Sequence, residues 1–217
     1  MSITDSRIDI EYQFAYRQYA EALCEALVED AFYITLEQSV SERADAREKL
    51  LRYLDYSMVE ARDYGTLYFP QAHQYGVAVW SKPLPPERAV QQKNAKLEFL
   101  RQHMGAANAA RYDDISDFMS AQSDALVDAS AWYLSIVGIL PAYQNKGLGA
   151  ALIRPVLELA DEAGVPTFLE TFTPRNEAFY QRLGYRVAGS FFEPTIGASY
   201  SLMLRECVAR QASYHPQ

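Results

Sequence analysis

Histidine and cysteine are scarce in this chain, three and two among 217 residues. Cys24 and Cys207 lie far apart and match no metal or redox spacing, which excludes a disulfide framework and points to a reducing compartment. His73, His103 and His215 are isolated from one another, so no metal site is expected. Positive charge is also in deficit. Lys and Arg number 20 against 28 Asp and Glu, leaving a net charge of −8. That balance argues against nucleic acid and anionic membranes as partners, and it is compatible with a cationic substrate. No apolar run approaches the roughly 20 residues that cross a bilayer. The segment Met1–Glu11 has no apolar core of a signal peptide, so a cytoplasmic protein is expected. Neither G-x-x-x-x-G-K-[ST] nor G-x-G-x-x-G occurs, which removes the P-loop and the dinucleotide fingerprint. Internal repeats and low-complexity tracts are missing too.

What remains is an ordinary globular composition, long enough to bury a substantial core. Residues 5–12 read as a first strand, with Ile8 and Ile10 alternating. Residues 13–29 read as a helix with Phe14, Tyr19, Leu23 and Leu27 on its apolar stripe, and Ala31-Phe32-Tyr33-Ile34 stands at its end. Those four fit a core, or a wall of an acceptor pocket. Ser39 or Ser41 is placed to cap the next helix. Its residues Leu51, Leu54, Met58 and Ala61 step by three and four, and Gly65 ends it. Leu67-Tyr68-Phe69 and Tyr75 to Trp80 read as paired strands. Trp80 suits the core, or the pocket. After the breaker Pro83-Leu84-Pro85-Pro86, residues 87–128 read as two or three helices interrupted near Gly105. Ala198 to Leu204 alternates as a last strand, and Ser213 to Gln217 reads as a frayed end.

The most informative stretch runs from Trp132 to Tyr185. Trp132 to Ile139 is apolar and β-branched, as a buried strand is, and Pro141 ends it. Gln144-Asn145-Lys146-Gly147-Leu148-Gly149 then forms a Q-x-x-G-x-G turn entering a helix. Leu148, Leu152, Leu159 and Ala163 recur along that helix, and Gly164 closes it. Pro155 lies inside it and predicts a bend. The first N–H groups of a helix lack internal partners and carry the positive end of its dipole, so the turn suits an anion such as a pyrophosphate. Lys146 adds charge at its rim. An ordinary strand-to-helix turn would look the same in isolation. Val165 to Thr171 is a second short strand ending in a carboxylate. Asn176 and Tyr180 follow, four residues apart and so on one face of a short helix. Gly184 stops it, and Tyr185 to Ala188 begins another strand.

The turn followed by Asn176-Glu177-Ala178-Phe179-Tyr180-Gln181-Arg182-Leu183-Gly184-Tyr185, an N-x-x-F-Y-x-x-L-G-Y motif, resembles the GNAT superfamily of acetyl-CoA-dependent N-acetyltransferases. Residues 164–171 and Pro174-Arg175-Asn176 look closest to puromycin N-acetyltransferase-like proteins. The close match covers about residues 131–190. The resemblance implies an α/β (α+β) GNAT fold. Its mixed, mostly antiparallel sheet would hold about six to seven strands with helices on both faces, splayed between the strands near 132–139 and 165–171. Residues 1–217 would form a single domain, with a helical insertion at about 85–128. It also implies acetyl-CoA as co-substrate, a small-molecule amine as partner and a compatible homodimer. The pantetheine would pair with backbone at Val137, Gly138 and Ile139. The pyrophosphate would meet Gln144, Asn145, Lys146, Gly147, Leu148, Gly149 and Ala150. Asn176 and Tyr180 would also touch the cofactor.

Acetyl transfer to an amine needs a polarised carbonyl, a neutral nitrogen and a departing thiolate. A backbone N–H of Val137 or Ile139 can polarise the carbonyl. A lysine-like ammonium costs about 4–5 kcal/mol to neutralise at pH 7, whereas an α-amine costs only about 1–1.5 kcal/mol. Glu170 is the candidate base, directly or through water; alternatively it only orders the Thr171–Arg175 loop. A thiol near pKa ~8.5 needs about 2 kcal/mol of help from an acid. Tyr180 is placed by the motif to give it, with Phe179 as the core residue of the pair. Three functions stay open on these residues: small-molecule N-acetyltransferase, protein lysine or N-terminal acetyltransferase, and a non-catalytic acyl-CoA sensor.

Overall fold

In a computed structural model, residues 12–40, 43–70 and 75–208 are described. The strand expected at 5–12, except for Tyr12, lies outside them, as do His73, His215 and the C-terminal end. Helix α1 (Arg17–Ala26) is followed by a separate helix α2 (Ala31–Gln38). The expected single helix over 13–29 therefore stops early. Asp30 is the reason: its carboxylate accepts the Phe32 N–H at 3.0 Å and caps a new helix. Helix α3 (Ala46–Tyr64) buries Leu51, Leu54, Met58 and Ala61 and ends at Gly65 as expected. Ser39 does not cap it, and Ser41 lies outside the described residues. A 3₁₀ turn at Arg43–Asp45 leads in, and Asp45 stands at the cap.

Strands β1 (Gly65–Tyr68) and β2 (Gly76–Ser81) pair antiparallel. Two helices, α4 (Pro86–His103) and α5 (Ala106–Leu126), break at Gly105. Then come β3 (Trp132–Ile139), α6 (Leu148–Ala163), β4 (Thr167–Thr171), α7 (Glu177–Gln181), β5 (Arg186–Glu193) and β6 (Ala198–Arg205). The described sheet has six strands in the order β1-β2-β3-β4-β6-β5. Only β3 and β4 are parallel; all other neighbours are antiparallel.

Both faces of the sheet are covered. Val77, Val79 and Ile136 pack with Leu23, Leu54 and Met58 of α1 and α3. On the other face Ala78, Trp80, Leu134, Leu169 and Met203 pack with α6. The buried stripe of α6 is Leu152, Ile153, Val156, Leu157 and Ala160. Leu159, expected on that stripe, is 47% exposed, and Ala163 is exposed. The helix runs unbroken through Pro155. An interior proline costs about 3 kcal/mol, but each buried Leu, Ile or Val side chain returns about 1.5–3 kcal/mol, so packing wins. Asp161 on α6 is tied to β6 by a two-pronged pair with Arg205, at 2.8 and 2.7 Å. That guanidinium holds the Asp161 carboxyl below its ordinary range.

One irregularity sits in β3. Leu134 packs on the α6 face, yet Ile136 packs on the α1–α3 face, although they are two residues apart. The pairing explains it: Val79 stands opposite Ile136 and Trp80 opposite Leu134, so Ser135 is an extra residue. This is a β-bulge, which re-phases the strand. The Ser135 hydroxyl donates to the Val79 carbonyl at 3.1 Å.

Candidate active site

The parallel pair β3–β4 is short. It joins Trp132 to Thr167, Tyr133 to Phe168 and Leu134 to Leu169, and there it stops. Strand β3 runs on to Ile139, while β4 stays with β6 to the pair Thr171–Ser201. Beyond Leu134, one edge of β3 therefore has no strand beside it. Leu140 N–H donates to the Tyr75 carbonyl on the β2 side at 2.8 Å. Main-chain groups alternate along a strand. Gly138 thus shares the β2 side, and Val137 and Ile139 turn theirs to the open edge. Consistent with this, Gln144 Nε2 donates to the Ile139 carbonyl at 3.0 Å. The Cα of Gly138 faces α1 so closely that a Cβ would stand 2.8 Å from Leu23 Cδ2.

The turn after β3 is exposed from Pro141 to Gly147. Asn145 and Gly147 take left-handed backbone, φ 59° and 76°. Gly147 is the cap of α6, and among the described residues no side-chain cap bonds that helix end. Lys146 Nζ donates to the Ala142 carbonyl at 2.9 Å and so stays beside the turn. The described side chains leave the helix end open, which fits a ligand carrying phosphates. Gly149 has a different reason to lack a side chain. A Cβ there would stand 3.0 Å from the Phe179 ring. Phe179 closes over the start of α6, partly buried, whereas Tyr180 is the more buried of the pair at 7% exposure. That reverses the expectation for these two.

A chamber of about 380 Å³ opens from the gap between β3 and β4. Val137, Glu170, Asn176 and Tyr180 line it together. Gly138, Ile139 and the turn 144–150 are outside its walls. Glu170 Oε2 accepts the Tyr133 hydroxyl at 3.0 Å, and its Oε1 is buried without a partner. Burial pushes the Glu170 carboxyl up to about 7, against the opposing pull of Tyr133. Burial, helped by the charge of Asp30, pushes the Tyr180 hydroxyl above its ordinary value. The loop 171–175 takes its hydrogen bond from elsewhere: Thr173 N–H donates to Thr171 Oγ1 at 3.2 Å.

Several chamber residues escape a reading by motif. Tyr133 is one, its ring stacked on Phe168 at 4.6 Å. Asp30 is another, and its cap position before Ala31-Phe32 is the signal that finds it. Phe32 and Tyr33 do line the chamber, and Trp80 is fully buried beneath it. Lys96 and Glu60 form a buried pair at 2.6 Å; 36 residues separate them, and no local pattern joins them. His103 packs on Phe99 and Tyr12. Among the described residues no cluster of His, Cys, Asp or Glu could hold a metal ion, and no helix is long and apolar enough to cross a membrane.

Known proteins share this fold. An uncharacterised N-acetyltransferase of Schizosaccharomyces pombe is 34% identical over 58 residues, covering 27% of this chain and 24% of the relative. The match thus spans about a quarter of the curated relative's length. A Corynebacterium glutamicum structure described as histone acetyltransferase HPA2 and related acetyltransferase superposes with a TM-score of 0.58 at 18% identity, covering 93% of this chain and 96% of that one. The polyamine N-acetyltransferase of Drosophila melanogaster gives 0.53 at 14% identity, covering 88% and 96%. Arylalkylamine N-acetyltransferase 2 of Aedes aegypti gives 0.51 at 13%, covering 90% and 98%. These likenesses establish a shared fold. The family profile described as Acetyltransferase (GNAT) family matches residues 73–185, more than half of the chain, so this chain belongs to the GNAT acetyltransferase family.

Proposed function

We propose that the chain is an N-acetyltransferase that moves an acetyl group from acetyl-CoA to the amine of a small molecule, by direct attack with both substrates bound. The observation that carries this is the chamber at the gap, whose lining includes both Glu170 and Tyr180 together with Val137 of the unpaired edge of β3. Acetyl-CoA, the co-substrate of the family, supplies the activated acyl group and a thiol leaving group when bound. Val137, Gly138 and Ile139 would hold its pantetheine arm. Gln144, Asn145, Lys146, Gly147, Leu148, Gly149 and Ala150 would hold its pyrophosphate, and Asn176 would bond it near Tyr180.

The protein's own groups then have definite tasks. A main-chain N–H of Val137 or Ile139 polarises the acyl carbonyl. Glu170 takes a proton from the amine, directly or through water. With its pKa at about 7 it is ionised in a large fraction of molecules at neutral pH and still basic enough to accept. The free Oε1 leaves it an acceptor site. Tyr180 stays protonated because burial disfavours its phenolate, so it is able to donate to the departing sulfur.

The walls supplied by α4 and α5 favour a small acceptor over a protein chain, which would need an open groove. This supports reading residues 1–217 as one domain with 85–128 as an insertion over the acceptor side. The solved neighbours named for polyamine and arylalkylamine acetylation support an amine acceptor. A cytoplasmic location, a homodimer and no nucleic-acid or membrane partner belong to the same reading. The closeness to puromycin-type enzymes rests on residues 164–176. Thiol release with acetyl-CoA and a panel of amines tests the proposal. Cofactor binding without release on any amine would favour an acyl-CoA sensor instead.

A further inference from the structure

The chamber is also walled by aromatic rings from three helices. Phe32 and Tyr33 stand 5.2 Å apart between centroids, Tyr33 and Tyr53 6.4 Å, Tyr53 and Tyr112 6.0 Å, and Phe32 and Tyr112 6.3 Å. All four line the cavity. Charge is distributed unevenly around them. Asp30 also lines the cavity, and its charge is felt by the hydroxyls of Tyr33 and Tyr180. Neither Asp30 nor Glu170 forms an ion pair among the described residues, and Glu170 Oε1 is buried with no partner. Glu60, by contrast, is answered by Lys96. The Lys96 ammonium also donates to Ser57 Oγ at 2.8 Å and lies 4.6 Å from the Tyr53 centroid. Lys82 is engaged over the Trp132 ring at 3.9 Å. The chamber thus holds two carboxylates without an ion-pair partner, Asp30 and Glu170, while the charges of Lys96 and Glu60 answer each other.

We infer that this chamber takes a primary amine with one positive charge and an aromatic body. Asp30 and Glu170 meet the ammonium, the four rings enclose the body, and Glu60, already satisfied by Lys96, offers no free carboxylate to a second positive charge. The inference rests on the acetyltransferase reading and names the class of its acceptor.

Calorimetry on the whole protein saturated with coenzyme A tests it, using 2-phenylethylamine, butylamine and 1,4-diaminobutane. Phenylethylamine is expected to bind at least tenfold more tightly than butylamine, and diaminobutane no more tightly than butylamine. Diaminobutane equal to or better than phenylethylamine, or no binding by any of the three, overturns the inference. Asp30→Asn keeps a residue that caps a helix as well as aspartate does, so the fold is preserved and only the charge is lost. It is expected to weaken phenylethylamine tenfold or more; an unchanged affinity also overturns the inference. Tyr112→Leu, on a different helix, is expected to weaken phenylethylamine at least fivefold and leave butylamine unchanged. Equal effects on the two amines count against the aromatic wall. Binding is read without turnover, so tight phenylethylamine binding with no thiol release overturns the acetyltransferase reading alone.

Discussion

The Tyr133 hydroxyl donates to Glu170 at 3.0 Å from the last stretch where β3 and β4 still pair, with Tyr133 opposite Phe168 and stacked on it. The bond favours the ionised carboxylate and opposes the effect of burial. Tyr133→Phe removes the donor and keeps the ring. The Glu170 carboxyl is then expected to rise above about 7. The pH midpoint of kcat should move upward, and kcat at pH 7 should fall several-fold with KM for the amine little changed. Steady-state rates from pH 6 to 9 check this.

Glu170 also couples stability to pH. The folded carboxyl, at about 7, keeps its proton to a higher pH than an ordinary glutamate near 4.5. Its contribution is therefore full below about pH 4.5 and is lost as the pH rises through about 7. A displacement of this size corresponds to about 3 kcal/mol. Glu170→Gln carries no charge, so it should lose this pH dependence. Relative to the parent, the variant should gain stability between pH 4 and pH 8, read from urea midpoints. Its turnover should fall at least tenfold.

Tyr180→Phe removes one hydroxyl from a side chain that is already 7% exposed, so the packing survives. Turnover is expected to fall about tenfold, corresponding to about 1.4 kcal/mol of lost transition-state help. Acetyl-CoA affinity should change by less than twofold, since the main-chain contacts remain. Stopped-flow thiol release and calorimetry separate the two quantities.

Lys96→Met leaves the Glu60 charge buried without its partner, where the pair now stands at 2.6 Å. Breaking a buried pair from one side costs about 3–5 kcal/mol. The double variant with Glu60→Gln should recover much of that loss. Urea unfolding of the two variants and the parent measures both steps.

Much of the C-terminal half is legible in the residues themselves. The order β3, turn, α6, β4, α7 follows from apolar runs and from punctuation by Pro141, Gly164 and Gly184. These are local effects, fixed by backbone geometry within a few residues. The N-terminal half is harder to read. An apolar stripe runs across Asp30, so periodicity alone joins α1 to α2, and only the capping carboxylate separates them. The site divides in the same way. Glu170 and Tyr180 stand at strand and helix positions that a motif marks. Tyr133 and the Lys96–Glu60 pair owe their roles to partners brought together by the sheet and by α3 and α4, which no spacing along the chain encodes. The bulge at Ser135 is silent for another reason: nearly every neighbour in β3 is apolar, so a change of face leaves no trace in the hydropathy.

That surplus residue makes the gap a matter of counting. Were β3 to pair without the bulge, with Ser135 opposite Val79, the rest of the strand would turn over by one step. Gly138 would then present its amide to the vacant flank, and Val137 and Ile139 would be spent on the ladder with β2. Exchanging one side chain for another there leaves the main-chain groups where they are as long as the bulge persists. Register, more than identity, is what this part of the chain has to preserve.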